Sequence, residues 1–126
     1  MAYRILVVDD SHVMRLMLLR NLRQAGFPID KMVDASNGSE ALTKFKPDEI
    51  DIVFSDLNMP GMDGIELTKR IREISKKVPI LLITAEGSPA KMQEALAAGV
   101  NATIQKPPTP EDLKAKVESL LPPPPA

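Results

Sequence analysis

Cysteine is absent from the chain, which excludes a disulfide framework and any thiolate metal site. A reducing cytosol suits such a sequence. No apolar run approaches the ~20 residues that a membrane-spanning helix needs. The opening Met1-Ala2-Tyr3-Arg4 runs straight into an apolar segment, without signal-peptide architecture. A soluble cytoplasmic protein with no membrane partner is expected. A surplus of one charge is also missing: 16 basic side chains face 17 acidic ones, for a net charge of −1. The lysines and arginines are scattered, so no field holds the chain on nucleic acid. Histidine occurs once, at His12. A lone histidine at a helix start reads as a surface residue rather than a metal ligand.

What is present suffices for one globular domain. A chain of 126 residues buries roughly two-thirds of the surface exposed when unfolded, and 44% hydrophobic with 26% charged residues is ordinary for that class. Residues 1–121 form the expected domain. Residues 122–126 read as a polyproline tail or the stub of a linker.

Five short apolar runs alternate with five helical patterns. The runs cover Tyr3 to Val8, about Lys31 to Ala35, Ile50 to Ser55, Pro79 to Ile83 and Ala102 to Gln105. The first, third and fourth are rich in Ile, Leu and Val without polar alternation, as strands buried on both faces require. The first helix is expected over about His12 to Ala25, with Met14, Met17, Leu18 and Leu22 inward and Gly26 as its stop. Asn37 with Glu40, and Asp63 with Glu66, have capping-box spacing. Ser88-Pro89 and Thr109-Pro110 each put a capping hydroxyl before a first-turn proline. Leu67, Ile71 and Ile74 form the inward stripe of the third helix, and Leu113, Val117 and Leu120 that of the fifth. Strict alternation of strand and helix implies an α/β fold, a doubly wound parallel sheet covered on both faces.

Five chemically coherent residues stand at strand ends. Asp9 and Asp10 follow the first strand, Asp56 the third, Thr84 the fourth and Lys106 the fifth. In an open parallel sheet those ends converge on the crevice where ligands bind. Clustered carboxylates need a cation, since unit charges ~4 Å apart interact by about 4 kcal/mol at an effective dielectric of 20. Oxygen-only ligands favour Mg²⁺, and an aspartate can act as a nucleophile on phosphorus. Each residue also has a plainer reading: Asp-Asp-Ser as a helix cap, Asp56 as a turn residue, Thr84 as a strand end, Lys106 as a solvated charge. Joint placement at four strand ends favours a site.

The chain resembles the receiver domains of bacterial response regulators, above all the stand-alone chemotaxis regulators of the CheY type. The resemblance rests on Ile5-Leu6-Val7-Val8-Asp9-Asp10-Ser11, Asp56-Leu57-Asn58-Met59-Pro60-Gly61-Met62-Asp63-Gly64, Ile83-Thr84-Ala85 and Lys106-Pro107, and spans about Arg4 to Leu121. It implies a flavodoxin-like (βα)5 fold with five parallel strands in the order 2-1-3-4-5. It implies a two-component switch, not an enzyme in the ordinary sense, that catalyses only its own phosphorylation and dephosphorylation. Asp56 would accept a phosphoryl group from a histidine kinase. Asp9, Asp10, Asp56 and the main-chain carbonyl of Asn58 would hold Mg²⁺, Lys106 would pair with the phosphoryl group, and Thr84 would be the switch hydroxyl. Asn58 and Glu86 would tune phosphoryl lifetime, and a cis bond is expected before Pro107. The output partner would meet the face of the fourth helix, fifth strand and fifth helix, on a monomer. Two positions depart from the family pattern: Thr103 stands where an aromatic residue is usual, and Pro108 where phenylalanine is frequent. Both are expected on that output face. A receiver excised from a longer protein is an alternative. A phosphatase of the haloacid dehalogenase type is disfavoured, because Asn58 stands where that family needs an acid.

Overall fold

In a computed structural model, which describes residues 2–85 and 88–121, strand and helix alternate from end to end. The elements are β1 (Tyr3–Val8), α1 (His12–Gln24), β2 (Ile29–Ala35), α2 (Gly38–Lys44), β3 (Ile52–Asp56), α3 (Gly64–Ile74), β4 (Ile80–Thr84), α4 (Pro89–Ala98), β5 (Ala102–Gln105) and α5 (Pro110–Leu120). All strand pairs are parallel and the sheet order is β2-β1-β3-β4-β5. The expected order and fold class are therefore present. No helix among the described residues is long and apolar enough to cross a membrane.

Alternating side chains of the central strands feed two cores. Leu6, Val8, Val53, Ile80 and Leu82 face α2, α3 and α4, where they meet Ala41, Ile65, Leu67, Ile71 and Ala95. Ile5, Val7, Ile52, Phe54, Leu81 and Ile83 face α1 and α5, where they meet Leu18, Leu22, Leu113 and Val117. Burying each of these larger side chains stabilises by about 1.5–3 kcal/mol. With both faces covered, the central strands have no reason to alternate polar and apolar residues.

Helix ends follow their local chemistry. Ser11, Asn37, Asp63, Ser88 and Thr109 each accept a bond from a first-turn amide. The reciprocal half of the capping box differs from expectation. Glu40 accepts from the Ser36 amide at 2.6 Å, one residue earlier than Asn37, and Glu66 turns instead to Arg70 at 3.1 Å. At the end of α1, Gly26 takes a positive φ of 98°. Its amide bonds Arg23 and that of Phe27 bonds Leu22, a Schellman closure that a residue with a Cβ would strain.

Several element boundaries differ from the sequence reading. β2 starts at Ile29, where pairing with Tyr3 precedes a register shift. β3 starts at Ile52, because the Asp51 carboxylate turns aside to the Arg4 amide at 2.7 Å. A single 3-10 turn at Pro47–Glu49 was not anticipated. The inward stripes also need correction. Met17 is 43% exposed on α1 and Ile74 is 52% exposed on α3, whereas Arg15 is buried. The apolar positions of α1 and α3 outnumber those that can face the sheet, so some must point outward.

Candidate functional site

Strand register brings the candidate residues together. Val8 lies beside Ser55, Asp56 beside Ile83, and Thr84 beside Gln105. β1, β3, β4 and β5 therefore end at one level, and Asp9, Asp10, Asp56, Thr84 and Lys106 leave the sheet together. At β3 the chain then makes a close turn into α3. The Gly64 amide donates to the Leu57 carbonyl at 2.8 Å. A Cβ on Gly64 would stand 2.4 Å from the Asp56 carbonyl oxygen, so only glycine fits.

The carboxylates of Asp9, Asp10 and Asp56 each offer an oxygen within 4.8 Å of the others. The Lys106 ammonium bridges two of them, lying 2.9 Å from Asp56 Oδ2 and 3.1 Å from Asp9 Oδ2. The Ser11 amide donates to Asp9 Oδ1 at 2.9 Å, and the Asn58 amide to Asp56 Oδ1 at 3.3 Å. Asp9 and Asp56 are buried while Asp10 is exposed. Burial alone would lower the Lys106 pKa, but the bonds and charges of Asp56 and Asp9 outweigh it and leave the pKa raised. The ammonium is thus firmly charged at neutral pH. One such charge among three carboxylates leaves the pocket acidic.

That donor set fits Mg²⁺. Oxygens around an octahedral Mg²⁺ at ~2.1 Å lie about 3–4 Å apart. A cluster within 4.8 Å lies close to that span. Thr84 is buried at the end of β4, and its carbonyl accepts from the Lys106 amide at 2.8 Å. The Lys106–Pro107 bond is cis, as the resemblance implied. Asn58 is exposed beside Asp56. Glu86 and residues 122–126 lie outside the described residues.

Arg15 has no place in the sequence reading. Its guanidinium is buried, donating to the Asp9 carbonyl and, from Nε, to Asp34 Oδ2 at 2.9 Å. The available signal was its spacing from Leu18 and Leu22, which places a cation on an apolar face. His12 is exposed, with Nδ1 3.4 Å from Arg15 Nη2. Pro108 does not lie on the outer face of α4, β5 and α5. It is buried toward α1, and its carbonyl accepts from Asn21 Nδ2 at 3.1 Å. With Met14, Met17 and Leu18 it lines a small hollow that opens beside Asp9, Asp56 and Lys106. A proline ring is compact, and here the loop folds it under rather than out. Thr103 is half-buried on β5 beside Leu82.

This geometry has known counterparts. The profile of the response regulator receiver domain family matches residues 5–118. Chemotaxis protein CheY1 of Helicobacter pylori is 40% identical over 121 residues, covering 94% of this chain and 96% of its own length. Chemotaxis protein CheY-3 of Vibrio cholerae is 43% identical over 120 residues, covering 94% and 91%. Among solved structures, CheY4 of Vibrio cholerae superposes with a TM-score of 0.84 at 38% identity, over 96% of this chain and all, 100%, of that one. A chain of the CheX-CheY-BeF3-Mg²⁺ complex from Borrelia burgdorferi superposes with a TM-score of 0.82 at 32% identity, over 93% and 87%.

Proposed function

We propose, from the premise that this chain belongs to the response regulator receiver domain family, that Asp56 is the acceptor of its phosphoryl group. The chain is a CheY-like receiver of two-component signalling, and such receivers are signalling switches rather than enzymes in the ordinary sense. The observation that carries the assignment to Asp56 is its setting. It is a buried carboxylate ending the central strand, with an ammonium at 2.9 Å and two further aspartates within 4.8 Å.

The chemistry follows from those residues. A carboxylate oxygen of Asp56 attacks phosphorus as the bond to a donor histidine nitrogen breaks, and the leaving imidazole keeps the electron pair and takes a proton from solvent. Lys106 neutralises the oxygens of the arriving group, and the Thr84 hydroxyl donates to one of them. Asp9, Asp10, Asp56 and the Asn58 main-chain carbonyl would hold Mg²⁺, which supplies the positive charge that lets two anions approach. Regulation ends when water attacks the acyl phosphate in line. Asn58 and Glu86 are proposed to orient that water, which makes the signal short-lived. The haloacid dehalogenase alternative falls away, since Asn58 carries no acid.

The donor is proposed to be a histidine kinase. The output partner is proposed to be a protein of a chemotaxis pathway, as in the relatives named CheY. It would bind the face of α4, β5 and α5 of a cytoplasmic monomer, with neither nucleic acid nor membrane involved. The test is incubation with acetyl phosphate and Mg²⁺, followed by intact-mass measurement. One phosphoryl group is expected on the native chain and none on Asp56→Asn. A phosphopeptide mapped to Asp9 or Asp10 in the native chain overturns the assignment.

A further inference from the structure

Every polar atom of Asp9 is held. Its amide donates to the Ala35 carbonyl at 3.1 Å, and its two carboxylate oxygens accept from the Ser11 amide and Lys106. Its carbonyl accepts from Arg15 Nη1. Asp10 is different. It is exposed, and among the described residues no hydrogen bond or ion pair fixes its carboxylate. Yet the reading above needs that carboxylate aimed at the other two.

We propose that Arg15 is a positioning residue that aims Asp10 through the peptide plane joining it to Asp9, an inference that rests on the three-aspartate metal site proposed above. A peptide unit is rigid and planar. Fixing the direction of the Asp9 carbonyl therefore fixes the direction in which the chain leaves toward the Asp10 Cα, and leaves only rotation about the Asp10 N–Cα bond to place its Cβ. Arg15 holds that carbonyl, while Lys106 holds the Asp9 carboxylate. Its own position is set by Asp34 on β2, whose Oδ2 accepts from Nε at 2.9 Å. The backbone at Asp34 is engaged in turn by Lys44 Nζ, 2.8 Å from the Asp34 carbonyl.

The residue type suits the task. A planar guanidinium sends donors in two fixed directions and can join a carbonyl to a carboxylate rigidly, which a single ammonium point cannot do. The position is also a costly one for a cation. Residues 15, 18 and 22 share the face of α1 that carries the buried Leu18 and Leu22, and a charge there loses hydration. A tether between α1 and β2 alone would need no bond to the carbonyl of a metal ligand.

Electrostatics and positioning predict opposite signs. If Arg15 acted on the site only through its charge, removing it would tighten cation binding by lifting a like-charge repulsion. A purely structural role would leave the affinity of the folded protein unchanged. Positioning predicts weaker binding, because the ion must then order a backbone unit that Arg15 now holds. Ordering one residue corresponds to roughly a tenfold loss.

The experiment measures Mn²⁺ affinity of the full chain by water-proton relaxation, well below the unfolding midpoint of each variant. Arg15→Met is expected to bind about tenfold more weakly, and Arg15→Lys to fall between it and the native chain. Native or tighter affinity in Arg15→Met overturns the inference. Should that variant not fold, Arg15→Lys decides: it keeps the charge, so native or tighter affinity there overturns the inference. Asp10→Ala separates the two levels. Unchanged Mn²⁺ binding there overturns the metal site itself, whereas lost binding there with native affinity in Arg15→Met overturns only the role of Arg15.

Discussion

At the two edges of the sheet, cationic side chains are held by different kinds of partner. At the N-terminal edge, Arg72 of α3 donates to the carbonyls of Ser75, Val78 and Gly99 and to Asn101 Oδ1, at 2.8–3.2 Å. Asn101 Oδ1 also accepts from the Ile80 amide at 2.8 Å. Among the described residues no carboxylate pairs with Arg72, and burial lowers its pKa. At the C-terminal edge, Lys106 sits between two buried carboxylates and its pKa is raised. Neutral acceptors around a charge satisfy it and leave nothing to exchange. Carboxylates around a charge hold it while remaining open to another cation. The first edge is built for stability, and the second for chemistry.

The sharpest way to break that comparison is Arg72→Ala. It strands several part-buried acceptors at once, and hydrogen bonds to a charged group contribute about 1.5–3 kcal/mol each, short of additively. A loss of about 3 kcal/mol in urea unfolding is expected, with phosphorylation of the folded protein within about twofold of native because the sites are independent. A parallel fall in phosphorylation would join the two edges into one unit.

Lys106→Met tests the other edge and should cost less, about 2 kcal/mol at neutral pH, since one partner of a partly buried ion pair is removed. Millimolar Mg²⁺ should restore part of that loss by separating Asp9 from Asp56. The pH dependence has a definite sign. Folding raises the Lys106 pKa above 10.5, so the folded chain keeps a proton that the unfolded chain gives up. Its contribution is fully present below about pH 10.5 and lost as pH climbs through the folded value. Alkaline titration of stability should therefore fall less steeply for Lys106→Met than for the native chain.

Met17→Lys is the smallest change and sharpens the account of α1. Met17 is 43% exposed, so its replacement should move the unfolding midpoint by no more than about 0.5 kcal/mol. A larger loss would show that the cavity wall contributes to the core.

Those expectations mark where the sequence was legible. Asp9, Asp10, Asp56, Thr84 and Lys106 were readable because each stands at the C-terminal end of a strand, and parallel strand ends must meet. Ser11, Asn37, Asp63, Ser88 and Thr109 were readable as caps because a cap depends on four neighbouring residues alone. Arg15 was not, since its partners Asp9, just past β1, and Asp34, on β2, are not neighbours in sequence, and only tertiary packing brings Asp34 to α1. Met17 and Ile74 were misjudged for the converse reason: α1 has more apolar residues than the sheet covers, and Ile74 is the last residue of α3, so periodicity alone does not say which of them is buried. Pro108 depended on a loop path that neither periodicity nor spacing encodes.

One contact gives the acceptor strand a mechanical character. The start of α3 comes so near the end of β3 that a single added carbon at Gly64 would stand 2.4 Å from the Asp56 carbonyl oxygen. That joint has no play. A hinge with slack absorbs the first ångström of movement, but here strand and helix abut like two blocks without a gasket. Any backbone shift at Asp56 toward α3 reaches the helix undiminished, so this side of the acceptor behaves as an anvil, and displacement is directed to the parts of the rim that are free to yield.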